Sequence, residues 1–493
     1  MNGKNIVLII FDTLRADLVY NEDSIADTPN IDSLLEKGVK FESAYSTAPE
    51  TASSHGSMFT GLYPHNHGVA CDTPQPSLRE DVPIISAWLS ERGYHTFAIA
   101  GPSKMGSDYG YDRGFDRFYE NYKDTDGYET DSRNTNLLSS EGIKEFLTSS
   151  RYRDRTIEAI KHGYDDGARA KLDEFKNTLS NNLNTPYFVV ANFKECHSSY
   201  QAPRPYMENK DSNYSRPRYF ISEWIQRKLG QKPVSHEHPD TRLNRLTDYR
   251  ESINQYYADS DYLNKAELET WQKWYAAELE YLDQKLGDIM GFLQKEEVDS
   301  DDTIFIFTAD HGELFGEHDL VYHNNFLWDK LLHVPLIISG HDEIIEYKDN
   351  MVSLTDLFPT ICDLVGIQKP NEIDGQSILS GPSRNYAFAE IGQRDVSVIN
   401  RDWYITEEVK HRLDRGKKAV WDEDFKYIRY SDGKESVYTM PKECEINRVP
   451  ESKTDKYKKR LKEELGTSFP TPPTEGQDIS DSTLQNLKEL GYR

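Results

Sequence analysis

Asp12, Asp310 and His311 each stand where an unbroken apolar run stops. Ile6–Phe11 ends in Asp12, and the run from Thr303 ends in Asp310 and His311. An apolar run without polar alternation suits a strand buried on both faces of a parallel sheet. In open α/β sheets, ligands and chemistry gather just past the carboxyl ends of such strands. Carboxylate and imidazole groups from two strand ends could hold one divalent cation. Any one of these Asp residues could instead cap a helix or start a turn. Two such strand ends in one chain favour the metal.

Three further segments bring groups of the right type. Ala48–Gly68 carries Thr51 just before Ser53–Phe59, which reads as the opening of a helix. A hydroxyl there lies among free backbone N–H groups at the positive end of the helix dipole, a place for an anion, though an N-cap would look the same. His55, His65 and His67 follow it, and isolated histidines are more often surface or capping residues than catalysts. Phe193–Pro203 presents His197 directly after an apolar run, where a general acid or an anion donor belongs. His318–Ile338 presents His323 before another apolar run, with His318 the weaker candidate.

These residues need a scaffold. Further apolar runs at Thr96–Ala100, Tyr187–Ala191 and Val334–Ser339 alternate with helical patterns, which implies βαβ units and helices on both faces of a parallel sheet. Leu279, Leu282, Leu286, Ile289 and Leu293 recur at three- and four-residue steps, the mark of one amphipathic helix. Residues 204–270 are polar and weakly patterned and read as an insertion. From about 385 the pattern changes. Tyr386–Ala389, Ala419–Trp421, Phe425–Tyr430 and Ser436–Tyr438 read as short antiparallel strands, with Ser431–Lys434 a hairpin turn. Residues 450–480 read as a loose tail, and Leu484, Leu487 and Leu490 as a short terminal helix. The expected layout is a catalytic α/β part over 1–384 and a small β part over 385–493.

Composition narrows the function. A chain of 493 residues with 31 Tyr, 20 Phe and 7 Trp can bury a large core. Its net charge of −26 argues against nucleic acid, whose phosphates need a basic surface. The four cysteines, Cys71, Cys196, Cys362 and Cys444, are scattered and form neither a zinc motif nor a disulfide framework. The first residues run straight into a strand, leaving no apolar region of a signal peptide, and no apolar stretch approaches the roughly eighteen residues of a membrane span. A cytoplasmic location is the expectation.

Taken in order, the motifs resemble the sulfatase family of the alkaline phosphatase superfamily, nearly end to end. Ile6–Asp17 with Thr28–Asp32 is similar to the family's opening strand and TPN element. Thr60–Gly68 resembles the segment after its nucleophile, and His197–Pro203 its His-containing loop. Tyr275–Gly287 resembles its long helix and Thr308–His318 its second metal segment. Leu354–Ile367 and the closing Leu487–Arg493 are also similar. The resemblance implies an α/β/α domain, a small C-terminal four-stranded sheet and one divalent ion (Ca2+, or Mg2+ or Mn2+). It assigns Asp12, Asp310 and His311 to the metal and Thr51 to the nucleophile position, beside the metal. His55 would sit where the family has the Arg of its C-x-P-x-R pattern, and with His197 and His323 would bind the substrate anion; the latter two would also protonate the leaving oxygen.

Two departures shape the expected activity. The family's nucleophile is a cysteine, converted to formylglycine in C-x-P-x-R; here the stretch is Thr51-Ala52-Ser53-Ser54-His55, and Cys71 has the wrong spacing to replace it. Thr13 stands where a second metal-binding Asp is expected. Thr at the nucleophile position resembles the branch that handles phosphate esters, and a cation beside its hydroxyl would lower the pKa of that group. The expectation is a metal-dependent hydrolase or transferase of sulfate or phosphate esters of a small molecule or glycan, with phosphate somewhat favoured. The alternative is a non-catalytic member of the family that binds an anionic glycan or partner.

Overall fold

The computed structural model describes residues 3–70, 77–120, 167–181, 186–211, 246, 249–296, 302–323, 325–394, 407–446 and 451–470. Seven strands form the central sheet: β1 (Asn5–Phe11), β2 (Val39–Lys40), β3 (His95–Ala100), β4 (Arg117–Glu120), β5 (Tyr187–Phe193), β6 (Thr303–Ala309) and β7 (Leu336–Ser339). Their order is β2-β7-β6-β1-β5-β3-β4. The run from β6 to β4 is parallel, while β7 lies antiparallel to β6 and β2 antiparallel to β7. Every residue of β1, β5 and β6 is buried, as their unbroken apolar runs require of strands covered on both faces. The sheet is thus mainly parallel, and β5 runs two residues past the expected Tyr187–Ala191.

Helices supply the covering. The long helix Lys265–Lys295 begins with a capping box, in which Asn264 and Glu267 satisfy each other's backbone N–H groups. Leu279, Leu282, Leu286, Ile289 and Leu293 all face inward. The same helix packs on Pro29–Lys37, where Asp283 accepts from the backbone of Asn30 and Ile31. Thr51–Thr60 forms a second group with Ile85–Ser90 and Leu357–Leu364. Among the described residues, no helix is long and apolar enough to cross a membrane.

The C-terminal sheet is fully antiparallel: β8 (Ala387–Ile391), β9 (Lys417–Trp421), β10 (Phe425–Tyr430), β11 (Glu435–Thr439) and β12 (Cys444–Glu445) in sequential order. It has five strands rather than four, because Cys444–Glu445 folds back along β11. The turn at Ser431–Lys434 is present, with Gly433 at φ 86°.

The expected loose tail is corrected over part of its length: Glu451–Leu465 is a helix. Tyr457, Leu461 and Leu465 are spaced by four and dock on Phe388, Val420, Tyr427 and Val437, with Tyr63 from the first part of the chain in the same cluster. Three apolar residues in an otherwise charged stretch make a seam too narrow to see in composition. Most of the polar insertion, Cys71 and the terminal Leu484–Leu490 segment lie outside the described residues.

Candidate active site

Strand register builds the centre. Phe11 of β1 pairs with Ala309 of β6, so the next residues, Asp12 and Asp310, leave the sheet side by side. On the other flank Phe11 pairs with Phe193 of β5, whose carbonyl accepts from the Asp12 N–H at 2.8 Å. Asp12, Asp310 and His311 are fully buried, and one ligand atom from each lies within 4.8 Å of the others. His311 Nε2 is 3.6 Å from Asp310 Oδ2 and 3.9 Å from Asp12 Oδ1.

Hydrogen bonds decide which oxygens remain for a ligand. Asp310 Oδ1 accepts from the Thr13 N–H at 3.0 Å and its own neighbour's N–H, His311, at 2.8 Å. Asp310 Oδ2 and both oxygens of Asp12 have no hydrogen-bond partner. Burial raises the Asp12 carboxyl well above its ordinary range, and the Asp310 charge adds to this. Burial pushes Asp310 the same way, but His311, His55 and the two N–H donors outweigh it and hold that carboxyl low. Three unpartnered carboxylate oxygens in a dry site are costly without a cation, so the donor set fits a divalent ion. Thr13 adds no hydroxyl proton to this cluster, since its Oγ1 donates to the Asp12 carbonyl at 2.7 Å.

Thr51 opens the helix Thr51–Thr60, with Glu50 at the N-cap making no side-chain cap. The first N–H groups of such a helix have no intrahelical acceptor and face an anion readily. Thr51 Oγ1 lies 3.4 Å from His311 Nε2, which places the hydroxyl at the edge of the carboxylate cluster. Ser54 Oγ donates to the Asp310 carbonyl at 2.7 Å and ties this helix to the end of β6. Arg394, next to the end of β8, reaches Glu50 at 3.1 Å and links the small sheet to the same helix start.

His55 has a different place from the substrate contact expected of it. It is fully buried, its Nδ1 bonds the Thr51 carbonyl at 2.8 Å, and its Nε2 faces Asn192 Nδ2 at 2.8 Å. The amide donates to Nε2, so Nδ1 carries the hydrogen and gives it to the carbonyl. Burial lowers its pKa, with Asp310 pulling the other way from 3.6 Å. Both nitrogens are used within the protein, and the ring braces Thr51 from behind.

His197 and His323 do converge on the cluster. The His323 ring lies 4.6 Å from that of His311 and 4.7 Å from that of His197. Burial, reinforced by His323, lowers His197 to about 3, and burial with the neighbouring His311 lowers His323 well below its usual value. Two residues the sequence did not flag belong here. Glu313 faces His323 Nδ1 at 3.2 Å and is raised to about 7 by burial. Lys104, buried after β3, contributes positive charge near His323. Asn192, the amide of the buried β5 strand, lies just past the apolar run expected from the sequence, and nothing in the spacing linked Glu313 to His323.

Three other histidines of the described residues contact the rest of the fold. His65 bonds Glu390 at 2.5 Å, His67 is buried beside Ser57, and His318 stacks on Trp328 at 3.9 Å while contacting Glu443.

Residues 4–367 match the model of the sulfatase family. The chain belongs to the sulfatase family. Membership places this sulfatase among the ester hydrolases of the alkaline phosphatase superfamily. The uncharacterized sulfatase YidJ of Escherichia coli (strain K12) is 24% identical to it over 413 residues, 80% of this chain and 74% of that protein. In fold, this sulfatase is similar to the phosphonate monoester hydrolase of Agrobacterium radiobacter (TM-score 0.66, 20% identity, 94% of this chain and 95% of that one). It is also similar to BT1596, a 2-O GAG sulfatase (TM-score 0.63, 18% identity, 96% and 95% covered).

Proposed function

We propose that this sulfatase hydrolyses phosphate or sulfate esters at a divalent-cation site, with Thr51 as nucleophile and phosphate esters preferred. One observation supports this above the rest: three buried carboxylate oxygens without hydrogen-bond partners meet His311 Nε2, with Thr51 Oγ1 3.4 Å from that nitrogen. Asp12, Asp310 and His311 would hold the ion beside Thr51. A bound divalent ion supplies Lewis acidity there, lowering the pKa of a nearby hydroxyl and offsetting negative charge on the ester. Mixed carboxylate and imidazole donors suit a first-row ion such as Mn2+ better than Ca2+, which prefers oxygen ligands throughout.

The side chains supply the rest. Thr51 Oγ attacks the central phosphorus or sulfur, giving up its proton to solvent, and the bond to the leaving oxygen breaks with its electron pair on that oxygen. His323 or His197 protonates it. Water then cleaves the threonyl ester, restoring the hydroxyl and releasing the inorganic anion. Lys104 and Arg394 add positive charge near His323, which favours an anionic substrate in a chain of net charge −26. The alcohol part we propose is a polar glycan or glycerol-type group.

The missing formylglycine pattern favours a second reading, a binding protein without turnover. The test uses protein stripped of metal and reloaded with Mn2+, Mg2+ or Ca2+, assayed on nitrophenyl phosphate, sulfate and phosphonate esters. Restored turnover that disappears in Thr51→Ala supports the threonine route. Full activity in that variant overturns it, and metal binding without turnover of any ester supports the binding protein.

A further inference from the structure

Glu313 is a fully buried carboxyl that the mechanism above leaves without a task. Its two oxygens lie 3.2 Å and 3.3 Å from His323 Nδ1. Tyr200 donates to Oε2 at 3.0 Å, and the Tyr200 hydroxyl in turn meets the Tyr249 hydroxyl at 2.8 Å. Arg15 Nη1 holds the Glu313 backbone carbonyl at 3.2 Å. The carboxyl is therefore fixed from several sides, and it points at one nitrogen of one imidazole.

The His323 ring has little freedom of its own. It packs between His311 and His197, with the Tyr322 ring 3.8 Å away. Stacking limits its tilt but does not choose which nitrogen carries hydrogen. Glu313 accepts from Tyr200 at Oε2, and in its ionised form, where it can only accept, a carboxylate facing Nδ1 selects the Nδ1–H form. Partners of this kind set the tautomer and direction of a working histidine, and their loss weakens activity without touching the reacting atoms.

We propose that Glu313, backed by Tyr200 and Tyr249, is a positioning residue that fixes His323 as the general acid for the leaving group. This rests on the Thr51 reading above. Thr51 Oγ bonds to the central atom and its proton leaves to solvent. The bond to the leaving oxygen breaks, the electron pair stays on that oxygen, and Nε2 of His323, which takes a proton from solvent when the anionic substrate is bound, delivers it there. The ring is left neutral, with its remaining hydrogen on Nδ1 held by Glu313. His197 then serves the anion rather than the leaving group.

The experiment compares leaving groups. A 4-nitrophenyl ester departs without a proton, whereas a phenyl or methyl ester requires one. For Glu313→Gln and for His323→Gln, kcat should fall about 100-fold or more on the phenyl ester and within about tenfold on the nitrophenyl ester, with KM little changed. The double variant should lose no more than the worse single one. Equal losses on both esters, in variants with unchanged thermal unfolding, would overturn the proposal. A second readout needs no turnover: nitrogen NMR of 15N-histidine-labelled, Mn-free and Mg2+-loaded protein, with His323 assigned from the His323→Gln spectrum. The Nδ1–H pattern supports the Glu313 contact, and an Nε2–H pattern overturns it. If wild-type protein turns over no ester, the Thr51 reading and the acid role fall together, while the tautomer still shows whether Glu313 orients the ring.

Discussion

The Tyr275 hydroxyl donates to the Thr13 carbonyl at 2.6 Å and accepts from the Arg15 N–H at 2.9 Å. Thr13 needs such a clamp, because its φ of 60° is unfavourable for a β-branched residue. The long helix Lys265–Lys295 thereby holds the loop after β1 and, through it, the direction of Asp12. Tyr275→Phe removes both bonds inside a dry core. The expected cost is about 1–3 kcal/mol in denaturant unfolding. Metal affinity, followed by calorimetric titration, should fall by about 10- to 100-fold because the ligand loop loses its support. Unchanged affinity alongside reduced stability would confine Tyr275 to the fold.

Asp12 gives a test that needs no substrate. In metal-free protein its carboxyl is opposed by burial and by Asp310, so Asp12→Asn relieves a repulsion. The metal-free variant should be at least as stable as metal-free wild type. Wild type should gain about 2.7 kcal/mol at a metal concentration one hundred times its dissociation constant, and the variant should gain little. Thermal unfolding with and without added ion reads both effects. A variant stabilised by metal as strongly as wild type would remove Asp12 from the ligand set.

His67 and Gly56 are packed so closely that a Cβ on Gly56 would lie 2.5 Å from the ring carbon Cε1. Exchanging glycine for alanine within a helix ordinarily stabilises by roughly 1 kcal/mol. Here Gly56→Ala must displace a buried ring under the Thr51 helix, and a loss of about 1–3 kcal/mol is expected instead. A gain in unfolding free energy would show that the ring yields freely.

The same His67 makes a pH prediction. Burial, only partly offset by Glu390, lowers it to about 3 from an ordinary 6.5. The unfolded chain therefore binds a proton that the folded chain refuses. The stability due to neutral His67 is present above pH 6.5 and is lost as pH falls from 6.5 through about 3. Between pH 6 and 4 this one group contributes a slope of about 1.4 kcal/mol per pH unit. Urea unfolding of wild type and His67→Gln across that range should differ by this slope, and parallel profiles would refute it.

What could be read in the sequence follows from where the information lies. β1, β5 and β6 were legible because burial on both faces forces unbroken apolar runs, and Asp12, Asp310 and His311 were legible because they end those runs. The meeting of Thr51 with His311 was carried by motif order, since local spacing cannot bring two distant segments together. The role of His55 was not legible: a histidine near a nucleophile looks the same whether it faces substrate or, as here, Asn192 and the Thr51 carbonyl. Glu313 and His323 lie on one loop, but only the folded path of that loop turns one toward the other. The helix Glu451–Leu465 escaped because its three docking residues are outnumbered by charges facing solvent.

His311 offers the last test, of metal preference. Its Nε2 is, among the described residues, the only nitrogen in the proposed donor set, the other proposed donors being carboxylate oxygens and the Thr51 hydroxyl. Imidazole nitrogen favours first-row ions over Ca2+, which binds nitrogen poorly and takes six to eight oxygens when it can. His311→Asn replaces that nitrogen with an amide oxygen on a shorter side chain. The ratio of Mn2+ to Ca2+ affinity, from competition titrations, should drop by about tenfold or more, and most of the change should come from weaker Mn2+ binding. An unchanged ratio would mean that cavity size rather than donor chemistry selects the ion. A loss of both metals by the same factor would mean that His311 acts through the loop it anchors, by the Nδ1 contact to the Gly312 carbonyl at 3.0 Å, and not as a ligand.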